Sequence, residues 1–177
     1  RKELDTGLAS WNLAMGSQEL YDWLDAEPQL FHPGDLDYIH SVERIGQLSN
    51  VISINGGVQL DLMGQENAES AGTRQLSGVG GQMDFLEGAF RSKGGKGFIC
   101  INSSRITKDG ERRSNILPTI PGGSTISAPR TMIDYVATEY GVVSLMGKSL
   151  RERAEAMASI AHPDFREELL QYAHDHF

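Results

Sequence analysis

The chain has 177 residues, 39% hydrophobic and 23% charged, a composition typical of one globular domain with its own core. Its formal net charge of −8 argues against a nucleic-acid or anionic-membrane partner, because those surfaces are bound through clustered positive charge. The one cysteine, Cys100, cannot form an internal disulfide, and no apolar run is long enough to span a membrane, so a cytoplasmic location is expected.

In the first half of the chain, short helical patterns alternate with β-rich runs. Helical spacing of apolar residues predicts helices over residues 17–26, 38–47 and 82–91. Alternating β-rich residues predict strands over 51–55 and 58–62, or one strand with a bulge at the Gly-Gly pair between them. The mixture indicates an α/β protein.

The second half ends in two helices. Ser149 and Glu152 have the spacing of a capping box, and Pro163 is placed to begin the second helix. Four short strands are predicted upstream, the first of them as a buried central strand: 98–101, 115–117, 124–127 and 135–138. No linker or repeat divides the chain, so residues 1–177 are interpreted as one domain. Because the sequence begins at Arg1 without an initiator Met, we interpret it as a piece of a longer protein.

Glycine is the unusual component of the composition. Nine of the 20 glycines lie between Gly64 and Gly97, with a cluster at residues 78–81 and two lysines, Lys93 and Lys96, after it. Such turns let backbone N–H groups approach a phosphate, although tight turns and close packing explain glycines equally well. The Rossmann and Walker A spacings both fail, because Met83 and Phe90 stand where those motifs require glycine.

The other reactive side chains form no metal or nucleophile motif. The five histidines lack ligand spacing, so no metal site is expected, and His162 is interpreted as a helix cap or packing residue. Cys100 lies in an apolar run and is predicted to be a small core residue. Four carboxylates flank the glycine cluster: Asp61, Glu66, Glu69 and Asp84. Any one of them could act as a nucleophile or a general base if partly buried. The alternative is that they are solvated side chains in turns.

Two residues have the chemistry to hydrogen-bond a carbonyl oxygen. Asn67 offers a side-chain amide, and Gly110, in an Asp-Gly turn, offers an oriented backbone N–H. Donors of this kind build an oxyanion hole. The Asp-Gly pair is also the ordinary hairpin turn, so both interpretations stay open.

Four blocks of sequence, in order along the chain, together resemble the C-terminal domain of the acetyl-CoA hydrolase/transferase family. Their characteristic runs are DLMGQENAES, SGVGGQMDF, DYVATEYGV and GKSLRERA. The blocks cover residues 53–70, 77–85, 134–142 and 147–166. The family includes 4-hydroxybutyrate, butyrate and succinate:acetate CoA-transferases.

The resemblance implies an open mixed or parallel sheet flanked by helices, a CoA-transferase-like (NagB/RpiA-like) domain that faces an N-terminal domain of the same protein. It implies ping-pong transfer of CoA between an acyl-CoA and a small carboxylate, through a glutamyl-CoA thioester. The family's nucleophilic glutamate lies upstream of these residues, so neither Glu66 nor Glu69 is assigned that role. A homo-oligomer is also implied, while an acetyl-CoA hydrolase and a non-catalytic CoA-binding module remain alternatives.

The resemblance also suggests site residues. The family's active-site asparagine matches Asn67, and its oxyanion-hole glycine matches Gly110. CoA or its acyl group would lie at the glycine turn, formed by Gly78, Val79, Gly80, Gly81 and Gln82. Phosphate contacts from Lys93 and Lys96 are our own inference from their charge. CoA would be a substrate, and no metal is required.

Overall fold

Residues 2–50 form small elements that precede the main sheet. The computed structural model describes residues 2–177. The elements are β1 (Ala9–Trp11), α1 (Gln18–Ala26), β2 (Phe31–Pro33), α2 (Leu36–Ile39) and α3 (Val42–Gln47). Strands β1 and β2 are parallel. The side chains of Asp35 and Ser41 cap α2 and α3 by accepting hydrogen bonds from Tyr38 and Arg44 N–H, so two helices replace the single one predicted over 38–47.

The middle of the chain contains five short strands and one helix. They are β3 (Ile52–Gly56), β4 (Gln59–Asp61), β5 (Glu66–Asn67), β6 (Ser70–Ala71), β7 (Arg74–Gln75) and α4 (Gln82–Arg91). The Gly56-Gly57 break separates two strands that belong to different sheets. Of the two sequence interpretations, two strands instead of one bulged strand is therefore confirmed.

The last part of the chain completes the sheets and adds two helices. Its elements are β8 (Lys96–Cys100), β9 (Ser104–Ile106), β10 (Arg112–Ser114), β11 (Ile116–Leu117), β12 (Tyr135–Thr138), β13 (Gly141–Ser144), α5 (Leu150–Ser159) and α6 (Pro163–His176). The capping box of Ser149 and Glu152 and the capping role of His162 are confirmed. No helix among residues 2–177 is long and apolar enough to cross a membrane.

A mixed four-stranded sheet, in the order β13-β12-β8-β3, forms the centre of the fold. Strands β3, β8 and β12 are parallel, and β13 is antiparallel to β12. Helix α4 packs closely on the sheet, since a Cβ at Gly97 would lie 2.8 Å from Leu86 Cδ2. A smaller sheet, β11-β4-β5, adjoins it. This confirms the predicted α/β fold with an open mixed sheet and flanking helices.

The core lies between one face of the main sheet, the smaller sheet and the helices. Its fully buried side chains come from both sheets and from helices α4 and α5: Leu60, Leu62, Leu86, Ile99, Ile116, Val136 and Met157. The charged side chain of Arg153, on α5, is buried beside them. Its guanidinium donates to three backbone oxygens, those of Met63, Leu145 and Arg130, at 2.7–2.8 Å. Arg153 therefore ties helix α5 to two loops and to the end of β13.

Two predictions from the sequence are wrong. Residues 124–127 form no strand, because the N–H groups of Ser127 and Ala128 bond to the single carbonyl of Glu66 instead of to a strand ladder. Cys100 is exposed, although the neighbouring Ile99 is fully buried. The apolar run that contains Cys100 has side chains on both faces of the sheet, and only one of these faces is covered.

Candidate active site

The carboxyl ends of the parallel strands β3 and β8 lie side by side at one edge of the main sheet. In open α/β sheets, ligands bind in the crevice outside these ends. Strand β3 ends at Gly56, and the next N–H, from Gly57, donates to Cys100 O at the end of β8. The structure therefore aligns the Gly-Gly break with the edge where a ligand is expected.

Glu66 is the carboxylate that the fold buries at this edge. It is 0% exposed, and its Oε2 accepts a hydrogen bond of 2.6 Å from Gln82 Nε2. The other oxygen, Oε1, has no hydrogen-bond partner among residues 2–177. A Cβ at Gly57 would lie 2.9 Å from Oε1 and 2.9 Å from Ile101 Cγ2. Only a glycine therefore leaves room for the carboxyl group at this point.

The environment of Glu66 changes its acidity. Burial raises its pKa to about 7; the hydrogen bond from Gln82 opposes that rise and the charge of Glu69 adds to it. The carboxyl group is consequently divided between its neutral and charged forms near neutral pH. Titratable groups with such shifts are more frequent at functional sites than elsewhere, which makes this cluster a candidate site.

The other flanking carboxylates have ordinary structural roles. Asp61 is buried, but its two oxygens accept hydrogen bonds from the N–H groups of Met63 and Gln65 and from the Gln65 side chain, so it stabilises a tight turn. Asp84 lies 3.2 Å from the Nδ1 of His40 and is partly exposed. Glu69 contributes charge beside Glu66.

Asn67 follows Glu66 on β5 and is also fully buried. Its Oδ1 accepts hydrogen bonds from the N–H groups of Glu69 and Ser70, and its Nδ2 donates to Ser70 O at 2.8 Å. An amide nitrogen carries two hydrogens. Within residues 2–177, Nδ2 donates one hydrogen to Ser70 O. Its second hydrogen is left for another group. The side chain is thus held rigidly with a donor to spare.

The glycine turn lies at the N-terminus of α4. Gly80 has a positive φ of +60°, and Gly81 is the N-cap of the helix. A Cβ at Gly81 would overlap the ring of His40, so glycine is required for the contact between this turn and helix α2. The adjacent cleft of about 570 Å³ is lined by the turn and by three carboxylates, those of Asp37, Glu43 and Asp84.

The predicted phosphate contacts are not assembled at this turn. Lys93 and Lys96 lie beyond the C-terminal end of α4, and ten helical residues extend about 15 Å. The acidic cleft beside the turn also disfavours a phosphate. Gln82, predicted to contact CoA, points its amide at Glu66. The structure therefore separates the lysines from the glycines and brings Gln82, Glu66 and Gly57 together.

Gly110 lies in the turn of the β9–β10 hairpin. Its φ is +81°, nothing would contact a Cβ there, and its N–H donates to Thr107 O at 3.0 Å. In this conformation the N–H closes the turn and does not face an open site. The assignment of Gly110 to an oxyanion hole stays a prediction.

Sequence reasoning missed Gly57 and the pairing of Gln82 with Glu66. The Gly-Gly pair was noted only as a strand break, and a contact across 16 residues leaves no local pattern. Among residues 2–177, no group of three or more His, Cys, Asp and Glu side chains is arranged to hold a metal ion.

Comparison with known proteins identifies the relatives of this domain. Residues 16–173 match the family described as "Acetyl-CoA hydrolase/transferase C-terminal domain". The chain is 42% identical over 173 residues to a butyryl-CoA:acetate CoA-transferase of Anaerostipes caccae, covering 98% of this chain and 39% of that protein. It is 44% identical over 170 residues to a 4-hydroxybutyrate coenzyme A transferase of Clostridium kluyveri, covering 96% and 39%.

A solved structure has the same fold over the same length. RipA from Yersinia pestis superimposes with a TM-score of 0.88 and 41% identity, covering 99% of this chain and 38% of that one. The chain thus spans about two fifths of the length of the relatives it matches. More than half of each relative lies outside the shared region.

Proposed function

Since the chain belongs to the acetyl-CoA hydrolase/transferase family, whose C-terminal domain it represents, we propose that it is part of an enzyme that transfers CoA from an acyl-CoA to a small carboxylate such as acetate. The observation that carries this proposal is the similarity to CoA-transferases along almost the entire chain. The N-terminal domain of the same protein would complete the active site.

The proposed reaction proceeds through a glutamate of that upstream part. Its carboxylate attacks the thioester carbonyl and expels CoA thiolate, which leaves a mixed anhydride. The thiolate then attacks the glutamyl carbonyl of the anhydride, releasing the first carboxylic acid and leaving a glutamyl-CoA thioester. The acceptor carboxylate repeats the two steps in reverse order, so each cycle exchanges one carboxylate for another.

Glu66 is unsuited to the nucleophile's role in spite of its position. It is fully buried, and one of its oxygens is engaged by Gln82. A thioester carbonyl needs to approach a carboxylate oxygen closely for attack. We therefore assign Glu66 to the wall of the site and keep the nucleophile outside these residues.

Asn67 is the residue of this chain that we propose to contact the reacting groups. Its amide is rigidly held but, like Glu66, fully buried. Its second Nδ2 hydrogen would reach a developing oxyanion or the upstream glutamate only if the groups that cover it move. Gly110 would add a backbone donor only if its hairpin turn rearranged. The glycine turn at residues 78–81 would accommodate an uncharged part of CoA or the acyl group, and Lys93 and Lys96 would contact phosphates only on a distant part of the molecule.

A product analysis tests the proposed function and separates it from hydrolysis. The protein that contains this chain together with its upstream part is incubated with butyryl-CoA, with and without acetate, and the CoA esters are separated by chromatography. We expect acetyl-CoA to form only when acetate is present, with little free CoA. Free CoA as the main product under both conditions would identify a hydrolase, and no turnover would favour a non-catalytic CoA-binding module.

A further inference from the structure

Glu66 connects parts of the candidate site that come from separate elements. Its backbone lies in β5, between β4 on one side and Ala128 on the other. Its side chain reaches α4, where Oε2 accepts the hydrogen bond from Gln82, the first residue of the helix after the glycine turn. A change at this carboxyl group therefore acts on the glycine turn and on the strand that carries Asn67.

The second oxygen of Glu66 faces apolar groups and the backbone. A Cβ at Gly57 would lie 2.9 Å from Oε1, 2.9 Å from Ile101 Cγ2 and 3.2 Å from Ile99 Cγ2. Within residues 2–177 no hydrogen bond reaches this oxygen, which is also shielded from solvent. Such surroundings disfavour a charged carboxylate and favour the neutral form. Because Gly57 belongs to the edge where a ligand is expected, the charge of Glu66 acts on a ligand there.

The charged groups around Glu66 do not oppose this neutral form. Among residues 2–177, the charge that acts on Glu66 is that of Glu69, which is negative. Of the neighbouring acidic residues, Asp84 on α4 pairs with His40, and Asp61 on β4 is bonded within its own turn. The β3–β4 junction, β8 and the segment that pairs with β5 face the carboxyl group with residues that do not ionise. Burial, followed by the charge of Glu69, accordingly raises the pKa of Glu66 to about 7.

The proposed exchange proceeds through negatively charged groups. One carboxylate replaces another, and the overall reaction neither consumes nor releases a proton. Acetate and exposed glutamates stay ionised between pH 6 and pH 8.5, because ordinary carboxyl groups titrate near pH 4. The oxyanions and the CoA thiolate formed on the way are negative, so a fixed negative charge close to them raises their energy. A loss of activity as the pH rises through this range would therefore come from a group of the protein.

We propose that Glu66 is a positioning residue for CoA exchange, whose neutral carboxyl group holds Gln82 and the glycine turn in place without adding a negative charge beside the reacting groups. This inference rests on the proposed function, because it concerns the same site. When Glu66 ionises, its charge opposes the oxyanions and exchange slows. Transfer is therefore fastest below neutral pH and slows as the pH rises through about 7.

The pH profile of kcat/KM for CoA exchange by the longer protein tests this role. Butyryl-CoA and acetate are the substrates, between pH 6 and pH 8.5. We expect the value for the parent to fall about 10-fold or more over this range, because the ionisation of one group governs it. Glu66→Gln keeps an acceptor for Gln82 and cannot ionise, so its profile should be nearly flat. Glu167→Gln, at an exposed position on α6, should follow the parent.

Two neighbouring substitutions should shift the midpoint of this profile in opposite directions. The hydrogen bond from Gln82 lowers the pKa of Glu66, so Gln82→Leu should move the loss of activity to higher pH. The negative charge of Glu69 raises that pKa, so Glu69→Gln should move the loss to lower pH. A merely structural role of Glu66 would leave both midpoints where they are in the parent. Because the three variants act independently, the test does not depend on the folding of any one of them.

The outcomes separate this inference from the proposed function. Circular dichroism first establishes that each protein is folded at each pH. Equal profiles for the parent and Glu66→Gln, or unshifted midpoints for Gln82→Leu and Glu69→Gln, would overturn the role of Glu66 while exchange itself remained. No exchange at any pH would refute the proposed function and this inference with it.

Discussion

Replacing Arg153 by methionine should destabilise the chain by about 3 kcal/mol or more, because three backbone carbonyls lose their donor at about 1–3 kcal/mol each when buried. Arg153 is 7% exposed and reaches Met63, Leu145 and Arg130 oxygens with three different nitrogens. Methionine fills similar volume without any donor. Urea unfolding of the variant and the parent chain measures the loss.

Arg151 supplies the matched control, since it lies two residues earlier on the same helix and is exposed. Arg151→Met should change stability by less than about 0.5 kcal/mol. Arg153→Lys keeps the charge but not the planar fork of donors, so it should lose most of the same stability. If Arg153→Met costs no more than Arg151→Met, the three hydrogen bonds do not hold helix α5 in place.

Replacing Glu66 by glutamine should remove a pH-dependent loss of stability. The folded-state pKa of about 7 is raised from 4.5, so the folded chain binds this proton more tightly than the unfolded chain. The stabilising contribution is therefore fully present below pH 4.5 and is lost as pH rises through 7. Above that point the charged carboxylate costs about 3 kcal/mol, from about 1.4 kcal/mol per pKa unit.

Unfolding free energies measured from pH 4.5 to 8.5 test this expectation. Glu66→Gln keeps an acceptor for Gln82 and cannot ionise. The unfolding free energy of the variant minus that of the parent chain should therefore increase by about 2–3 kcal/mol from pH 4.5 to pH 8.5. Glu167→Gln, at an exposed position on α6, should show a nearly constant difference. A constant difference for Glu66→Gln as well would mean that the carboxyl is not neutralised by burial.

These two buried ionisable groups differ in how the fold treats them. Arg153 has an acceptor for each of its three nitrogens, whereas one oxygen of Glu66 has no hydrogen-bond partner within residues 2–177. A buried polar group without a partner lowers stability, and proteins retain such groups mainly at functional sites. Glu66 lowers the stability of the fold directly beside Asn67, the residue proposed to contact the reacting groups.

Much of the architecture could be predicted from local sequence. The capping box at Ser149, the helix over 82–91 and the strands over 51–55 and 135–138 depend on residues close together in the chain, and all appear in the structure. The family resemblance rested on four ordered blocks and was confirmed by the match over residues 16–173. These elements could be predicted because helix capping and strand alternation depend on residues only a few positions apart.

The failures concern contacts between distant parts of the chain. The burial of Glu66 depends on Gly57 and Gln82, which come from two other elements. The exposure of Cys100 depends on which layers cover the sheet, a property that an apolar run does not reveal. Residues 124–127 have β-rich composition, but the chain pairs with strand β5 only through an isolated bridge between Glu66 and Ala128, so composition alone predicted the wrong state.

The location of the covalent intermediate tests the central claim most directly. The longer protein is incubated with an acyl-CoA without acceptor, quenched and digested, and the peptide that carries CoA is identified by mass spectrometry. We predict that the modified glutamate lies outside residues 1–177 and that Glu66→Gln leaves the modification in place. A CoA thioester found on Glu66 or Glu69 would contradict the account, because the nucleophile would then belong to this domain.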